Sequence, residues 1–387
     1  MNGKNENLDG RKVQDIDLES ITMKKSFSGF IKNFFNKIKK RTEIFTKYQL
    51  PSLKNNITSW FKSFRGVLIL FCLVLVSIIP FLLDESLYFR IFMLAMIYAI
   101  YAASWDLLAG ITGQVSFGHA AFFGVGAYVS AALIKYMELN WFFSLLLGPL
   151  VGVLFGLIIA IPCLRLKGPY LALGTLAYSL LLLSLFSMNA LKDFFYGERG
   201  ITNILIFLRI DIEYRFIFTL IIMVISIVIL LAISNSNLGM IFNAIRDDER
   251  STKASGVNVL KYKIIAFMIS SFFAGLAGSI YMLDQTKVDP FIFLPTYSFY
   301  PVVMACLGGI GLISGSVFGA YFFVLVAQIL EEIILMIGPA EYTEFLTALP
   351  LVIFGIILII VVRFTERGLM EPTIEKTKIL YDLVIGK

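Results

Sequence analysis

Residues with catalytic potential are few in this sequence. It contains one histidine, His119, and three cysteines, Cys72, Cys163 and Cys306, each within an apolar run. With one histidine and no paired cysteines, a histidine-based metal site is hard to build, as is a serine triad that leaves a ligand to spare. The sequence G-x-x-x-x-G-K-[ST] does not occur, which excludes nucleotide hydrolysis through a P-loop. We therefore expect no catalytic residue, no metal and no cofactor in this chain.

Small and polar residues instead cluster at two glycine-rich interruptions of apolar sequence. The first covers residues 110–118 and the second 308–315; both read G-x-x-G-x-x-S, and an Ala-Tyr pair follows each. Corresponding interruptions in two halves predict an internal repeat with broken helices around a pathway near the bilayer midplane. Close helix packing at glycines, without a repeat, is the alternative. The candidate pathway residues are Gly110, Gly113, Gln114, Ser116, Gly118, His119, Thr175, Gly308 and Gly311.

His119 and Asp106 are ionisable groups at the first interruption, where burial in a membrane is costly and often functional. For His119, a hydrogen-bonded structural role competes with a role as substrate ligand. Asp106 is a candidate to cap the broken helix or to lie at the membrane interface.

The longest inner polar stretch between apolar runs covers residues 235–263. Asn237 is suited to cap a short helix whose apolar face carries Met240, Ile241, Ala244 and Ile245, and Gly256 then breaks the chain. An amphipathic helix followed by a glycine turn predicts an element that docks into a groove of another protein. An ordinary solvated loop is the alternative.

The composition indicates what must position these residues. Hydrophobic residues make up 58% of the chain and charged residues 16%, whereas soluble domains carry about 25% charged residues. We expect an all-α, polytopic transmembrane helical bundle with broken helices and about ten spans of about 20 residues each. The predicted spans are residues 66–83, 86–108, 119–136, 141–164, 169–188, 215–234, 263–283, 297–313, 316–337 and 343–362.

Charge predicts the domain organisation and the orientation. Residues 1–65 hold 14 Lys or Arg against six Asp or Glu, which predicts a basic cytoplasmic arm, partly disordered, with an amphipathic helix on anionic lipid. No nucleic-acid-binding module accompanies this charge, so we expect no nucleic acid partner. The transmembrane domain covers residues 66–362, and 363–387 form a cytoplasmic tail. Lysines and arginines concentrate in loops that this arrangement places inside, so both termini are predicted to be cytoplasmic.

Five spaced motifs make the sequence similar to a known family. The polar stretch, with G-M-I-F-N-A-I-R-D-D-E at 239–249 and A-S-G-V-N-V at 254–259, resembles the coupling loop of the permeases of branched-chain amino acid ABC transporters, in particular LivM-type subunits. The segments 110–128, 167–176, 266–278 and 308–320 match further motifs of that family in the same order.

The resemblance implies a permease subunit of an ABC importer, located in the inner or plasma membrane, that translocates branched-chain or related small amino acids. Its implied partners are a second permease, two cytoplasmic ATPases, an extracytoplasmic solute-binding protein and membrane lipids. Which solute is carried, amino acid, urea or amide, is left open. The implied ATPase-coupling residues are Gly239, Ala244, Arg246, Asp247, Asp248, Glu249 and Gly256.

An ion-coupled secondary transporter or a channel is the competing function. It would need acidic or basic groups along the midplane to bind the coupling ion. Beyond Asp106 and His119 such groups are scarce in the apolar segments.

Overall fold

The computed structural model describes residues 79–81, 85–166, 168–188, 192–204 and 207–337, and residues 352, 353, 355, 356 and 359. Within these residues the chain is helical, and its β-structure is a single antiparallel bridge between Ile201 and Val288. The predicted all-α fold class is confirmed. The basic arm, nearly all of the first predicted span, most of the tenth and the C-terminal tail lie outside the described residues.

Eleven α-helices follow one another among the described residues between 86 and 337. They are α1 Ser86–Asp106, α2 His119–Met137, α3 Trp141–Cys163, α4 Pro169–Ser187, α5 Lys192–Phe195, α6 Ile212–Ser234, α7 Asn237–Asp247, α8 Glu249–Ala254, α9 Val259–Gln285, α10 Pro295–Gly308 and α11 Ile313–Ile337. A π-helical turn, Leu107–Ile111, continues α1, and the short 3₁₀ helix Pro290–Phe293 precedes α10.

Seven described helices are long and apolar enough to cross a bilayer. They are Ser86–Ile111, His119–Met137, Trp141–Cys163, Pro169–Ser187, Ile212–Ser234, Val259–Gln285 and the part of α11 from Ile313 to Leu330. Each coincides with a predicted span within a few residues. The chain is a multi-pass membrane protein.

The eighth predicted span, residues 297–313, forms a helix shorter than predicted. Its helix α10 has 14 residues, which is about 21 Å against about 30 Å of hydrocarbon. Pro295 starts α10, and Gly309 ends it in a positive-φ conformation, at +122°. Phe293, fully buried just before α10, stacks on Tyr128 of α2.

Helix α1 lies at the centre of the bundle and α4 at its edge. In the most apolar 18-residue stretch of each helix, 94% is buried for α1 with its π-helical turn, whereas only 33% is buried for α4. Helix α9 packs closely on α2 through small residues: a Cβ added at Gly126 would lie 2.2 Å from the Gly275 carbonyl oxygen. The hydroxyls of Ser130 and Ser279 join the same two helices at 2.9 Å. Small residues and hydroxyl pairs are the usual means of packing helices in lipid.

Candidate coupling and translocation site

The polar stretch forms two short helices, α7 and α8, between spans α6 and α9. Ser236 caps α7 by accepting a hydrogen bond from the Leu238 amide at 3.1 Å, so the predicted cap was misplaced by one residue and Asn237 is the first helical residue. Gly239 packs against the end of α6, where an added Cβ would lie 1.8 Å from the Ser234 carbonyl oxygen. This contact holds α7 against the membrane domain.

The predicted apolar face of α7 was partly wrong. Phe242 and Ile245 are buried, whereas Met240 is 64% exposed and Ala244 is also exposed. Phe242 and Gly239 are three residues apart, and that stripe faces the bundle. Met240 and Ala244 lie four residues apart on the opposite, accessible side, where a flexible apolar side chain suits contact with another protein.

Helix α8 is capped by an exposed carboxylate. Asp248 Oδ1 accepts from the amides of Arg250 and Ser251, at 2.8 and 3.3 Å, and Oδ2 from the Ser251 hydroxyl at 2.6 Å. These hydrogen bonds, the Ser251 hydroxyl foremost, lower the pKa of Asp248 below its usual value. Gly256 then ends the helix at φ +82°, in open space.

Glu249 joins helix α8 of the predicted coupling loop to span α9. Its Oε2 lies 2.7 Å from Lys263 Nζ; the Glu249 side chain is 45% exposed and that of Lys263 is 7% exposed. Sequence reasoning placed Lys263 in the inner loop without assigning it a partner. The ion pair holds α8 against α9 and leaves part of the Glu249 carboxylate accessible.

The first glycine interruption breaks the end of α1. After the π-helical turn Leu107–Ile111, Gly113 has φ +72°, a conformation that disfavours a side chain. Trp105 Nε1 donates to the Ser116 carbonyl oxygen at 2.8 Å, and the Phe117 amide donates to Thr175 Oγ1 at 3.1 Å. These bonds tie the irregular backbone to α1 and α4.

The second interruption meets the first directly. Gly311, the second glycine of its motif, also has positive φ, at +82°. Its amide donates to Asp106 Oδ1 at 2.7 Å, so Asp106 caps the opposite interruption rather than its own helix. A Cβ added at Gly110 would lie 2.5 Å from the Gly311 nitrogen, so a side chain would separate the two breaks. The internal repeat remains a prediction.

Arg246 of α7 lies against both interruptions. Its Nη1 donates to the Gly110 carbonyl oxygen at 2.9 Å, and its Nε pairs with Asp247 Oδ1 at 3.2 Å. A Cβ added at Gly113 would lie 3.0–3.2 Å from the Arg246 backbone and stem, and one at Gly311 would lie 3.2 Å from Nη1. The coupling loop and the predicted pathway are therefore in physical contact.

A cavity of about 990 Å³ opens between the coupling loop and the first interruption. Of the predicted residues, its lining includes Gly113, Gln114, Arg246, Asp247, Asp248 and Glu249. The turn between α3 and α4 contributes Leu166, Gly168 and Pro169. Residues from both predicted sets thus line one space.

The other predicted pathway residues are packed inside the protein. Ser116, Gly118, His119, Thr175 and Gly308 are fully or almost fully buried and do not line this cavity. A Cβ added at Gly118 would lie 1.9 Å from the Thr175 carbonyl oxygen, and one added at Gly308 would lie 1.7 Å from the Gly315 carbonyl oxygen, so neither position has room for a side chain. Their role in the pathway remains a prediction.

His119 has a structural environment between α1 and α2. Its Nε2 lies 3.0 Å from Ser104 Oγ, and its ring packs against Tyr101 with centroids 5.3 Å apart. The side chain is 0% exposed. These contacts support a structural role for the ring through Nε2, whereas Nδ1 is buried without a hydrogen-bond partner among the described residues.

Three charged residues at the opposite ends of the spans were not singled out from the sequence: Arg90, Arg215 and Asp284. The available signal was an ionisable residue within an apolar helix, which at membrane depth indicates function.

The sequence is similar to that of known transport proteins. The sequence model of one family, described as "Branched-chain amino acid transport system / permease component", matches residues 87–362. The chain is 25% identical over 361 residues to the high-affinity branched-chain amino acid transport system permease protein LivM of Escherichia coli K12, covering 86% of this chain and 80% of that protein. It is 24% identical over 307 residues to the permease protein BraD of Pseudomonas aeruginosa, covering 72% and 93%.

An archaeal relative is similar over a shorter stretch. The probable LivM permease of Methanocaldococcus jannaschii is 26% identical over 235 residues, covering 59% of this chain and 67% of that protein. No solved structure matches the chain. The family match extends over more than half of the chain and includes both glycine interruptions and the coupling loop, so the chain belongs to the family of branched-chain amino acid transport system permease components.

Proposed function

We propose that this chain is the permease subunit of an ABC importer and translocates branched-chain amino acids across the cell membrane. The relatives named above are branched-chain amino acid transport permeases, which supports the solute class. ATP hydrolysis takes place in separate ATPase subunits, and this chain converts their motion into opening and closing of the pathway.

The observation that carries the proposal is the hydrogen bond from Arg246 to the Gly110 carbonyl oxygen. A docking helix that only anchored another protein would need no contact with broken membrane helices. Here α7 contacts both interruptions through one side chain, so a displacement of α7 reaches the pathway directly. Interfaces with two discrete packings transmit such small displacements over long distances.

The proposed complex contains a second permease, two cytoplasmic ATPases and an extracytoplasmic binding protein. The ATPases dock on the exposed side of α7 and α8, around Met240 and Ala244. This places the loop 235–258 in the cytoplasm, together with both termini. Arg165 and six further basic residues belong to sequence segments on that side, either between the spans or in the first two turns of α9, as the positive-inside rule expects. Those residues are Lys167, Arg246, Arg250, Lys253, Lys261 and Lys263.

Reconstitution of the complete complex in liposomes tests the proposal. Uptake of radiolabelled leucine should require both ATP and the binding protein, and a non-hydrolysable nucleotide should not support it. Urea and acetamide should compete poorly with leucine. Strong competition by either would reassign the solute while retaining the ABC mechanism.

Ion-coupled transport is the competing mechanism. In the described spans the buried carboxylate of Asp106 accepts a hydrogen bond from Gly311, which supports a structural role for this acid. Leucine uptake driven by a proton or sodium gradient in liposomes without ATP would contradict the proposed function.

A further inference from the structure

A second cavity, of about 310 Å³, lies at the ends of α1, α6 and α9 that are farthest from the coupling loop. The first turns of α1 and α6 and the last turn of α9 form its walls. Along α1 the 16 residues from Arg90 to Asp106 rise about 24 Å, so this cavity and the one beside the coupling loop open near opposite membrane surfaces. With the coupling loop inside, the second cavity faces outward.

An incompletely satisfied ion pair is buried in this cavity. The side chains of Arg215 and Asp284 are 6% and 8% exposed, and Arg215 Nη1 lies 3.9 Å from Asp284 Oδ1. That distance is too long for a hydrogen bond. Among the described residues, Arg215 Nε is buried without a hydrogen-bond partner. The guanidinium of Arg215 therefore lacks a direct hydrogen bond to its carboxylate partner, and both side chains line the cavity.

Exposed Arg90 adds a second guanidinium to the lining. Two cations and one carboxylate complement a ligand that carries an acid group and an ammonium group, since a carboxylate or phosphate matches guanidinium geometry and an ammonium pairs with Asp284. Leu87, Ile91 and Leu94, spaced by four and three residues on one face of α1, supply an apolar wall for an aliphatic chain.

We infer that this cavity binds a small zwitterion, with its acid group against Arg90 and Arg215 and its ammonium against Asp284. Two sources have this chemistry: a free aliphatic α-amino acid and the headgroup of an aminophospholipid. The site goes beyond the proposed function, while the choice of leucine as the free ligand rests on that function.

Equilibrium binding to the purified transporter complex tests the site. The complex is placed in phosphatidylcholine nanodiscs without binding protein, and radiolabelled L-leucine is titrated. Leucine should bind saturably. The analogues 4-methylpentanoate, which lacks the ammonium, and 3-methylbutylamine, which lacks the acid, should each compete at least about tenfold more weakly.

Variants distinguish the loss of the binding site from a general loss of the folded structure. Arg90→Gln keeps the buried pair intact and should weaken leucine binding by about tenfold, because it removes one charge-assisted hydrogen bond. Arg215→Gln should weaken it at least as much. Arg209→Gln is the matched control, since Arg209 is also exposed on this side but does not line the cavity. Binding that is unchanged in Arg90→Gln and Arg215→Gln would overturn the inference.

A comparison of nanodisc lipids shows whether the bound zwitterion is a free amino acid or a lipid headgroup. Nanodiscs containing phosphatidylethanolamine are compared with those of phosphatidylcholine alone, and retained lipid is measured by native mass spectrometry. Competition of phosphatidylethanolamine with leucine, and its loss in Arg90→Gln, would assign the zwitterion to the lipid. The inference fails if neither leucine nor phosphatidylethanolamine binds in an Arg90-dependent way.

Failure of this site and failure of the proposed function give different results. ATP-dependent uptake that persists when neither leucine nor phosphatidylethanolamine binds to the complex in an Arg90-dependent way would eliminate the site and leave the importer intact. Uptake that needs neither ATP nor binding protein would contradict the importer, whatever the cavity binds.

Discussion

Arg246 Nη1 donates a 2.9 Å hydrogen bond to the carbonyl oxygen of Gly110, 136 positions away in sequence. This bond joins the coupling loop to the break in the central helix. Gly110 lies against Gly311, so one arginine contacts the place where both glycine interruptions meet. The relation gives the proposed coupling a specific mechanical link.

Replacement of Arg246 by Ala should uncouple the transporter. A hydrogen bond from a charged donor is worth about 1.5–3 kcal/mol, so its loss should lower leucine uptake by at least about tenfold at equal ATPase activity. Uptake and ATP hydrolysis are measured on the same proteoliposomes. Arg165→Ala is the control, since Arg165 is an exposed arginine outside α7 and α8, in the turn between α3 and α4. Equal coupling in both variants would contradict the link.

Gly113→Ala should impair transport more than Gly256→Ala. Both glycines have positive φ, at +72° and +82°, so alanine meets similar backbone strain at each. An added Cβ at Gly113 approaches Arg246 to 3.0 Å, whereas at Gly256 it meets open space. Uptake and thermal stability of each variant are compared with the parent complex. Equal loss of uptake would show that strain alone explains the effect.

Gly311 and Gly113 should not tolerate leucine. A large side chain at either position would press on Arg246 and separate the interruptions, so we expect uptake to fall to background with the complex still assembled. Copurification of the ATPases reports assembly. Normal uptake by both leucine variants would make these glycines mere spacers.

Glu249→Lys should uncouple ATP hydrolysis from uptake if the accessible part of its carboxylate faces the ATPase groove. The substitution also breaks the 2.7 Å pair with Lys263, so the double variant Glu249→Lys, Lys263→Glu is required. The reversed pair should restore the contact between α8 and α9 but not coupling. Full recovery in the double variant would show that the ion pair matters and the ATPase contact does not.

Loss of the Asp248 cap should loosen α8. In Asp248→Ala, hydrogen–deuterium exchange of residues 249–256 should accelerate severalfold, because two amides and one hydroxyl lose their acceptor. Asp247→Ala, which removes a neighbouring exposed acid without a capping bond, should leave exchange unchanged. Similar acceleration in both would mean that charge, and not the cap, protects α8.

The same cap predicts a pH dependence. The pKa of Asp248 is lowered in the folded state, so its stabilising contribution is complete above the usual aspartate pKa and is lost as the pH falls through the lowered value. Protection of α8 should therefore be constant between neutral and mildly acidic pH and decline below about pH 4. A decline already near neutral pH would point to another titrating group.

Cysteine labelling checks the orientation. With a membrane-impermeant maleimide on intact cells, Met137→Cys, at the exposed end of α2, should react, and Lys253→Cys should react only after permeabilisation. The parent chain with its native cysteines gives the background. The opposite pattern would invert the topology and remove the ATPases from the coupling loop.

Hydrophobic runs were sufficient to predict seven described spans within a few residues, because a bilayer admits few alternatives to an apolar helix of about 20 residues. A short helix followed by the turn at Gly256, and both G-x-x-G-x-x-S interruptions, were also recognisable in the sequence, because glycine spacing and capping residues act locally; the predicted cap was misplaced by one residue. The short length of α10 could not be predicted, because an apolar run does not reveal where proline and glycine shorten a helix. Nor does it reveal that Phe293 is buried just before α10 begins.

Contacts between distant segments were decided by the tertiary structure alone. Asp106 was a conspicuous acid in the sequence, but its partner is the amide of Gly311, 205 positions away. A local sequence pattern cannot predict a contact between residues so far apart in the chain. Likewise, nothing near Arg215 in sequence pointed to Asp284. The sequence by itself determined that the chain spans the membrane and where it breaks, since these depend on residue type over one helix length. Only the packed bundle decided that Arg246 lies where the two breaks meet.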